Sequence, residues 1–266
     1  MSLGACDLRV KHTPANLPVG RTTLEPLGPS RKRVKDQIVE RFEQKYIIHP
    51  KLVPEIRKFI QPFCVADPNG KGEVPEYIVT TLQLDTATMD LALAKEHKSF
   101  ARFKLRIRTY GTKPEHPVFF ELKRKVNNVI IKSRAKMTLR QYYGGPHHGY
   151  IVIHPDQAPM LETAKDNNNF LEYCRLVKLL SARPKMLIRY IRESYFGAND
   201  DYARVTFDRR ICYRPTRDWT LPVEDDGKLW RPMDTQTGLN RPFAGYIFEL
   251  KAMNDSPMWM LELVER

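Results

Sequence analysis

Between residues 101 and 111 the sequence ARFKLRIRTYG alternates without a break. Phe103, Leu105 and Ile107 fall on one side of an extended chain, with Arg102, Lys104, Arg106 and Arg108 on the other. The same period of two recurs along the chain. ERFEQKYII (40–48) predicts a strand with Arg41, Glu43 and Lys45 on a common face. VFFELKRKVNNVIIKSRAKM (118–137) predicts a hairpin in which Glu121, Lys123, Lys125, Lys132 and Arg134 stand opposite Phe120 and Leu122. YIVTTLQLDT (77–86), KMLIRYIRESY (185–195), ARVTFDRRICY (203–213) and GYIFELK (245–251) predict four more strands. The last two carry Arg204, Thr206, Asp208 and Arg210, then Glu249 and Lys251, at alternate positions.

Helical spacing interrupts this pattern. Leu52, Ile56, Phe59, Ile60 and Phe63 predict a helix broken near Pro62, and TMDLALAKEHKSF predicts a short one. NNNFLEYCRLVKLLS predicts a helix opened by Asn, with Phe170, Tyr173, Cys174, Val177 and Leu180 on one face. TLRQYYGGPHHGYIVIHPDQAP is turn-rich, and its adjacent His147 and His148 lack the surroundings of metal ligands. Near the end, Ser256 as N-cap and Pro257 at the first turn predict a helix with no stop signal before Arg266. The sequence is therefore expected to end inside that helix, as a piece of a longer chain would. Residues 1–35, rich in Pro, Gly, Arg and Lys, read as a poorly ordered basic arm, and its RKRVK run (31–35) as a solvated patch. Residues 36–266 then form one folded domain.

Side chains two apart on a strand stand roughly 7 Å from each other. Two like charges at that distance repel by about 2 kcal/mol at an effective dielectric near 20. A solvent face usually mixes Thr, Ser, Gln and both signs of charge; here basic residues dominate nearly every strand. The expected architecture is α+β: an antiparallel β-barrel tunnel with a charged interior and helices packed outside. Carboxylates among the cations sharpen this. Hard cations such as Mg2+ or Mn2+ take one or two carboxylates plus phosphate oxygens, so Glu43, Glu121 and Glu249 are candidate metal ligands, Glu43 and Glu121 equally candidates for orienting lysines.

Forty-four Lys and Arg against 31 Asp and Glu give a net charge of +13, which calls for an anionic partner without choosing one. No G-x-x-x-x-G-K-[ST] loop occurs, excluding P-loop chemistry. Nucleic acid is disfavoured because the charged faces carry no aromatic residues to stack bases. Four scattered cysteines (Cys6, Cys64, Cys174, Cys212), no apolar run of spanning length and no secretory signal place the expectation at a reducing, cytoplasmic setting.

In order along the chain, RFEQKYIIHP, LQLDT, KLRIRTYG, FELKRK, KSRA, YIRESY, RVTFD and FELK resemble the vacuolar transporter chaperone (VTC) catalytic domain. That is a polyphosphate polymerase family of the CYTH, or triphosphate tunnel metalloenzyme, superfamily; the likeness covers about residues 38–263. The resemblance implies transfer of the ATP γ-phosphate to a growing polyphosphate chain, with Mn2+ or Mg2+. It assigns phosphate contacts to Lys45, Arg106, Arg108, Lys123, Arg192 and Arg204, with Lys125 nearby, and the metal to Glu249 beside Lys251. Arg41, Arg102, Lys104, Lys132, Arg134 and Arg210 complete the cationic lining expected to hold substrate. Where the superfamily has E-x-E-x-K, this chain reads Arg41-Phe42-Glu43-Gln44-Lys45; the extra cation suits a longer polyanion. The family's Ser-Lys-Tyr segment beyond the terminal helix has no counterpart in the sequence. Arg189 competes with Arg192 for the inward position. A tripolyphosphatase using the same tunnel, and a polyphosphate-binding module without catalysis, are the alternatives.

Overall fold

The computed structural model describes residues 41–127, 129–144, 152–153, 156, 160–199, 202–222, 228–253 and 256–266. The basic arm, Cys6 and the His147-His148 pair lie outside the described residues. The strands are β1 (Arg41–Ile48), β2 (Cys64–Ala66), β3 (Glu76–Asp85), β4 (Ala101–Tyr110), β5 (Pro117–Val126), β6 (Val129–Thr138), β7 (Arg183–Gly197), β8 (Arg204–Pro215), β9 (Arg231–Pro232) and β10 (Tyr246–Met253). The helices are α1 (Val53–Ile60), α2 (Asp90–Glu96), α3 (Leu139–Tyr142), α4 (Ala164–Leu179), α5 (Gln236–Leu239) and α6 (Met258–Glu265). One ten-stranded sheet runs β1-β10-β8-β7-β3-β4-β5-β6, with every named pairing antiparallel.

The apolar half of each alternation packs under helices. Phe207, Phe248, Leu250 and Ala252 form one core with Val53 and Ile60 of α1 and Met260 of α6. Leu105, Ile107, Phe120, Leu122 and Met137 form a second with Phe170, Tyr173 and Val177 of α4. Phe120 meets Phe170 and Tyr173 edge-on, with ring centroids 4.9 and 5.2 Å apart. Each such ring contributes about 1.5–3 kcal/mol by leaving water, which commits one face of the sheet to the helices and turns the charged face the other way.

Two helix starts differ from expectation. α4 begins at Ala164, not at the Asn run, because Thr163 accepts a hydrogen bond from the Asp166 amide at 3.0 Å and caps the helix earlier. At α6, Ser256 turns its hydroxyl to the Met253 carbonyl (3.4 Å), so Pro257 is the cap residue and no side chain caps the helix.

The barrel expectation is met only in part. The hydrogen-bonded path ends at β1 and β6, with no pairing between them among the described residues. α4 supplies what a closing strand would otherwise provide to β6. Asp166 accepts from the Lys136 amide at 2.9 Å, and Asn169 donates to the Arg134 carbonyl at 2.8 Å. The sheet nevertheless curls. Glu43 of β1 acts electrostatically on Lys104 of β4, although four strands separate β1 from β4. On a flat sheet that would be about 24 Å.

Candidate functional site

Register places the charged residues in rows on the inner face. On one wall Glu43 pairs with Lys251 and Lys45 with Glu249 across β1 and β10. Lys251 continues to Arg204, and Glu249 to Thr206, on β8; Asp208 stands opposite Arg192 of β7. On the other wall Arg102, Lys104 and Arg106 of β4 face Lys125, Lys123 and Glu121 of β5. Glu121 and Lys123 continue to Arg134 and Lys132 of β6. Arg108 lies in the same alternation, one step beyond Arg106. Arg41 opens β1 opposite Met253, and its side chain lies outside what is described.

The β10 wall is dense with compensated charge. The Glu249 side chain is 2% exposed and its Oε1 stands 2.7 Å from the Lys45 ammonium and 2.6 Å from that of Lys251; Oε2 is 3.7 Å from Arg192. Burial opposes ionisation of Glu249, yet Lys251 and Lys45 pull its carboxyl down to about 2. Burial lowers the Lys251 amine, with Glu249 and Glu43 pulling the other way. Lys45 also reaches Glu43 at 3.3 Å. Arg192 is clamped by Asp208, Nε to Oδ1 and Nη2 to Oδ2, both at 2.7 Å. Its guanidinium lies 5.3 Å from the centre of the Tyr190 ring.

On the β4–β5–β6 wall one carboxylate serves many cations. Glu121 accepts from Arg106 Nε at 2.5 Å and lies 3.8 Å from Arg108. Lys104 is exposed to water. Desolvation first, then repulsion from Lys95, Lys123 and Arg106, lowers its amine to about 8, with Glu43 opposing. Such a wall of long side chains around water leaves a trough, not a sealed void. Open pockets also lie elsewhere: one of about 800 Å3 beside α4 and an apolar groove of about 330 Å3 between α1 and α6.

Two expectations change, and of two competing arginines one faces inward. Arg210 leaves the row: it has φ 51° at a β-bulge where the β7–β8 register shifts, and Ile211 takes the place inside against Tyr190 and Val79. Arg192, not Arg189, points inward; Arg189 bonds the Pro222 carbonyl and stacks on Trp230, 4.8 Å from the ring centre, on the other face. Aromatic residues are present among the cations after all. Arg108 donates to the Tyr110 hydroxyl at 3.3 Å, Arg134 lies 4.1 Å over Phe119, and Arg204 4.1 Å over Phe196. Tyr77, Tyr110 and Tyr190 share the inner parity of the cations, but a tyrosine in a strand reads equally as core. Lys136, opposite Phe119 on the Arg134 face, was also missed; it extends the KSRAK alternation by one step.

No group of three or more His, Cys, Asp or Glu side chains able to hold a metal occurs among the described residues. The chemistry of the wall nevertheless suits a hard cation shared with phosphate. Glu249 Oε1 is buried and held by two ammonium groups, at 2.7 and 2.6 Å, and the buried hydroxyl of Thr206 beside it has no hydrogen-bond partner among the described residues. Glu121, by contrast, is committed to two arginines and fits an orienting role.

A sequence model described as the VTC domain matches residues 40–266. The vacuolar transporter chaperone complex subunit 4 of Schizosaccharomyces pombe is 25% identical over 242 residues, covering 84% of this chain and 32% of that protein. The chain thus spans about a third of that curated relative. Among solved structures, a putative adenylate cyclase from Bacillus halodurans matches with a TM-score of 0.43 at 9% identity, covering 85% of this chain and 89% of that one. A putative adenylyl cyclase from Hippeastrum, described with a dominant triphosphatase activity, matches at 0.40 and 13% identity over 85% of this chain and 83% of that one.

Proposed function

The chain belongs to the VTC domain family, and from that premise we propose that it is a metal-dependent phosphotransferase moving the ATP γ-phosphate onto inorganic polyphosphate within a basic tunnel. What supports this reading is the Arg and Lys rows of β4, β5 and β6 on the same face as the Glu249 cluster of β10, with Glu43 of β1 acting electrostatically on Lys104 of β4.

Phosphoryl transfer asks a protein mainly for positioning and charge neutralisation. Two polyanions brought end to end repel each other, and the cations of both walls offset that repulsion. Arg192, held by Asp208, and Arg106, held by Glu121, present guanidinium groups already oriented for phosphate oxygens. Lys45, Lys123, Arg108 and Arg204 neutralise charge along the donor and acceptor. A terminal oxygen of the acceptor forms a bond to the γ-phosphorus as the bond to the β,γ-bridging oxygen breaks, releasing ADP and a chain one phosphate longer. Glu249, with Glu43 nearby, would hold Mn2+ or Mg2+, which supplies further neutralisation of phosphate oxygens.

Incubation with ATP and Mn2+, followed by electrophoresis of the products, tests the proposal. Long-chain polyphosphate is expected. Orthophosphate alone would transfer the assignment to a tripolyphosphatase; no phosphate product of either kind would leave a binding module.

A further inference from the structure

We infer that Asp208 is a positioning residue, whose task is to hold the Arg192 guanidinium in place for phosphate; this rests on the phosphate-binding reading above. Asp208 is 7% and Arg192 9% exposed, and the pair is bidentate at 2.7 and 2.7 Å. Both carboxylate oxygens are used, so Asp208 has little left to offer a metal. The arginine is not equally spent. Nε and Nη2 are taken by Asp208, and Nη2 also lies 3.7 Å from Glu249 Oε2, while Nη1 makes no hydrogen bond among the described residues. Tyr190 supports one face of the guanidinium.

An unrestrained arginine loses rotamer freedom when it is fixed. Asp208 takes that loss during folding, before any ligand arrives, so Arg192 meets phosphate preorganised. The neighbouring bulge serves the same end. The register shift lies between Arg189 and Ile191, immediately past the Arg192–Asp208 pair, and leaves these two residues directly opposed.

Titration calorimetry with tripolyphosphate tests this, because stoichiometry reports the folded fraction and Kd reports the site. In Asp208→Asn the amide presents N–H to N–H, the clamp opens, and Kd is expected to weaken about tenfold with stoichiometry preserved. In an Arg192→Gln background the same change should have no further effect. Asp208→Glu, which keeps the charge but shifts it by one methylene, should weaken Kd about threefold and serves if the amide variant folds poorly. Unchanged Kd in both variants overturns the inference, as does reduced stoichiometry at constant Kd, or an equal loss with and without Arg192. Failure of the unaltered protein to bind tripolyphosphate sinks the phosphate-binding reading itself, and this inference with it.

Discussion

The two walls of the trough hold the same residue types in opposite states. On the β10–β8–β7 wall, Lys45, Lys251, Arg192 and Arg204 meet Glu43, Glu249 and Asp208, and three of these four cations lie within 4 Å of a carboxylate. On the β4–β5–β6 wall, Arg102, Lys104, Arg106, Arg108, Lys123, Lys125, Lys132 and Arg134 share Glu121 as the one carboxylate of that face among the described residues. The first wall is largely compensated from within, and its carboxylates hold Lys45, Lys251 and Arg192 in place before ligand arrives. The second holds an excess of cations over carboxylates, which an incoming anion would offset. Precise placement and strong attraction pull against each other within one side chain, and the two walls separate them.

Four substitutions or titrations would break or sharpen that contrast. The largest effect is expected at Glu249. Glu249→Gln should cut Mn2+-dependent transfer at least about a hundredfold. Metal-free tripolyphosphate should bind it more tightly, because Lys45, Lys251 and Arg192 lose their counter-charge. Loss of both activities together would count against the neutralised-wall picture. Next, Lys123→Glu places a second acid on the excess-charge wall. Tripolyphosphate binding should fall about tenfold or more, with a shallower salt dependence, measured by calorimetry at several ionic strengths.

The pH response is smaller. Lys104 is lowered to about 8, so between about 8 and its ordinary value of 10.5 the folded chain carries fewer protons than the unfolded one. Stability from this group therefore rises with pH across that window, while anion binding weakens through it. Affinity should drop about two- to threefold between pH 7 and 9, and Lys104→Met should flatten the profile. The smallest effect lies outside both walls. Thr163→Ala should cost about 1 kcal/mol in chemical denaturation without altering phosphate affinity.

Period two made most of this site legible. Lys45, Arg106, Lys123, Arg204 and Glu249 each follow from alternation within a single strand, because the pleat itself assigns the face. Arg210 fails for the same reason: a single bulge reverses parity, and nothing in RRICY announces it. Asp208 was visible on the right face, but its clamp on Arg192 depends on which strand lies beside which, and pairing order is not a local property. Barrel closure was illegible too, since it turns on Asp166 and Asn169, thirty or more residues away, satisfying the edge of β6.

That edge has an electrostatic consequence. Because β1 and β6 are not paired among the described residues, the attraction between Glu43 of β1 and Lys104 of β4 acts across the sheet with no main-chain bonds at that edge beside it. The attraction between Glu43 and Lys104 across the sheet is therefore expected to weaken as ionic strength rises.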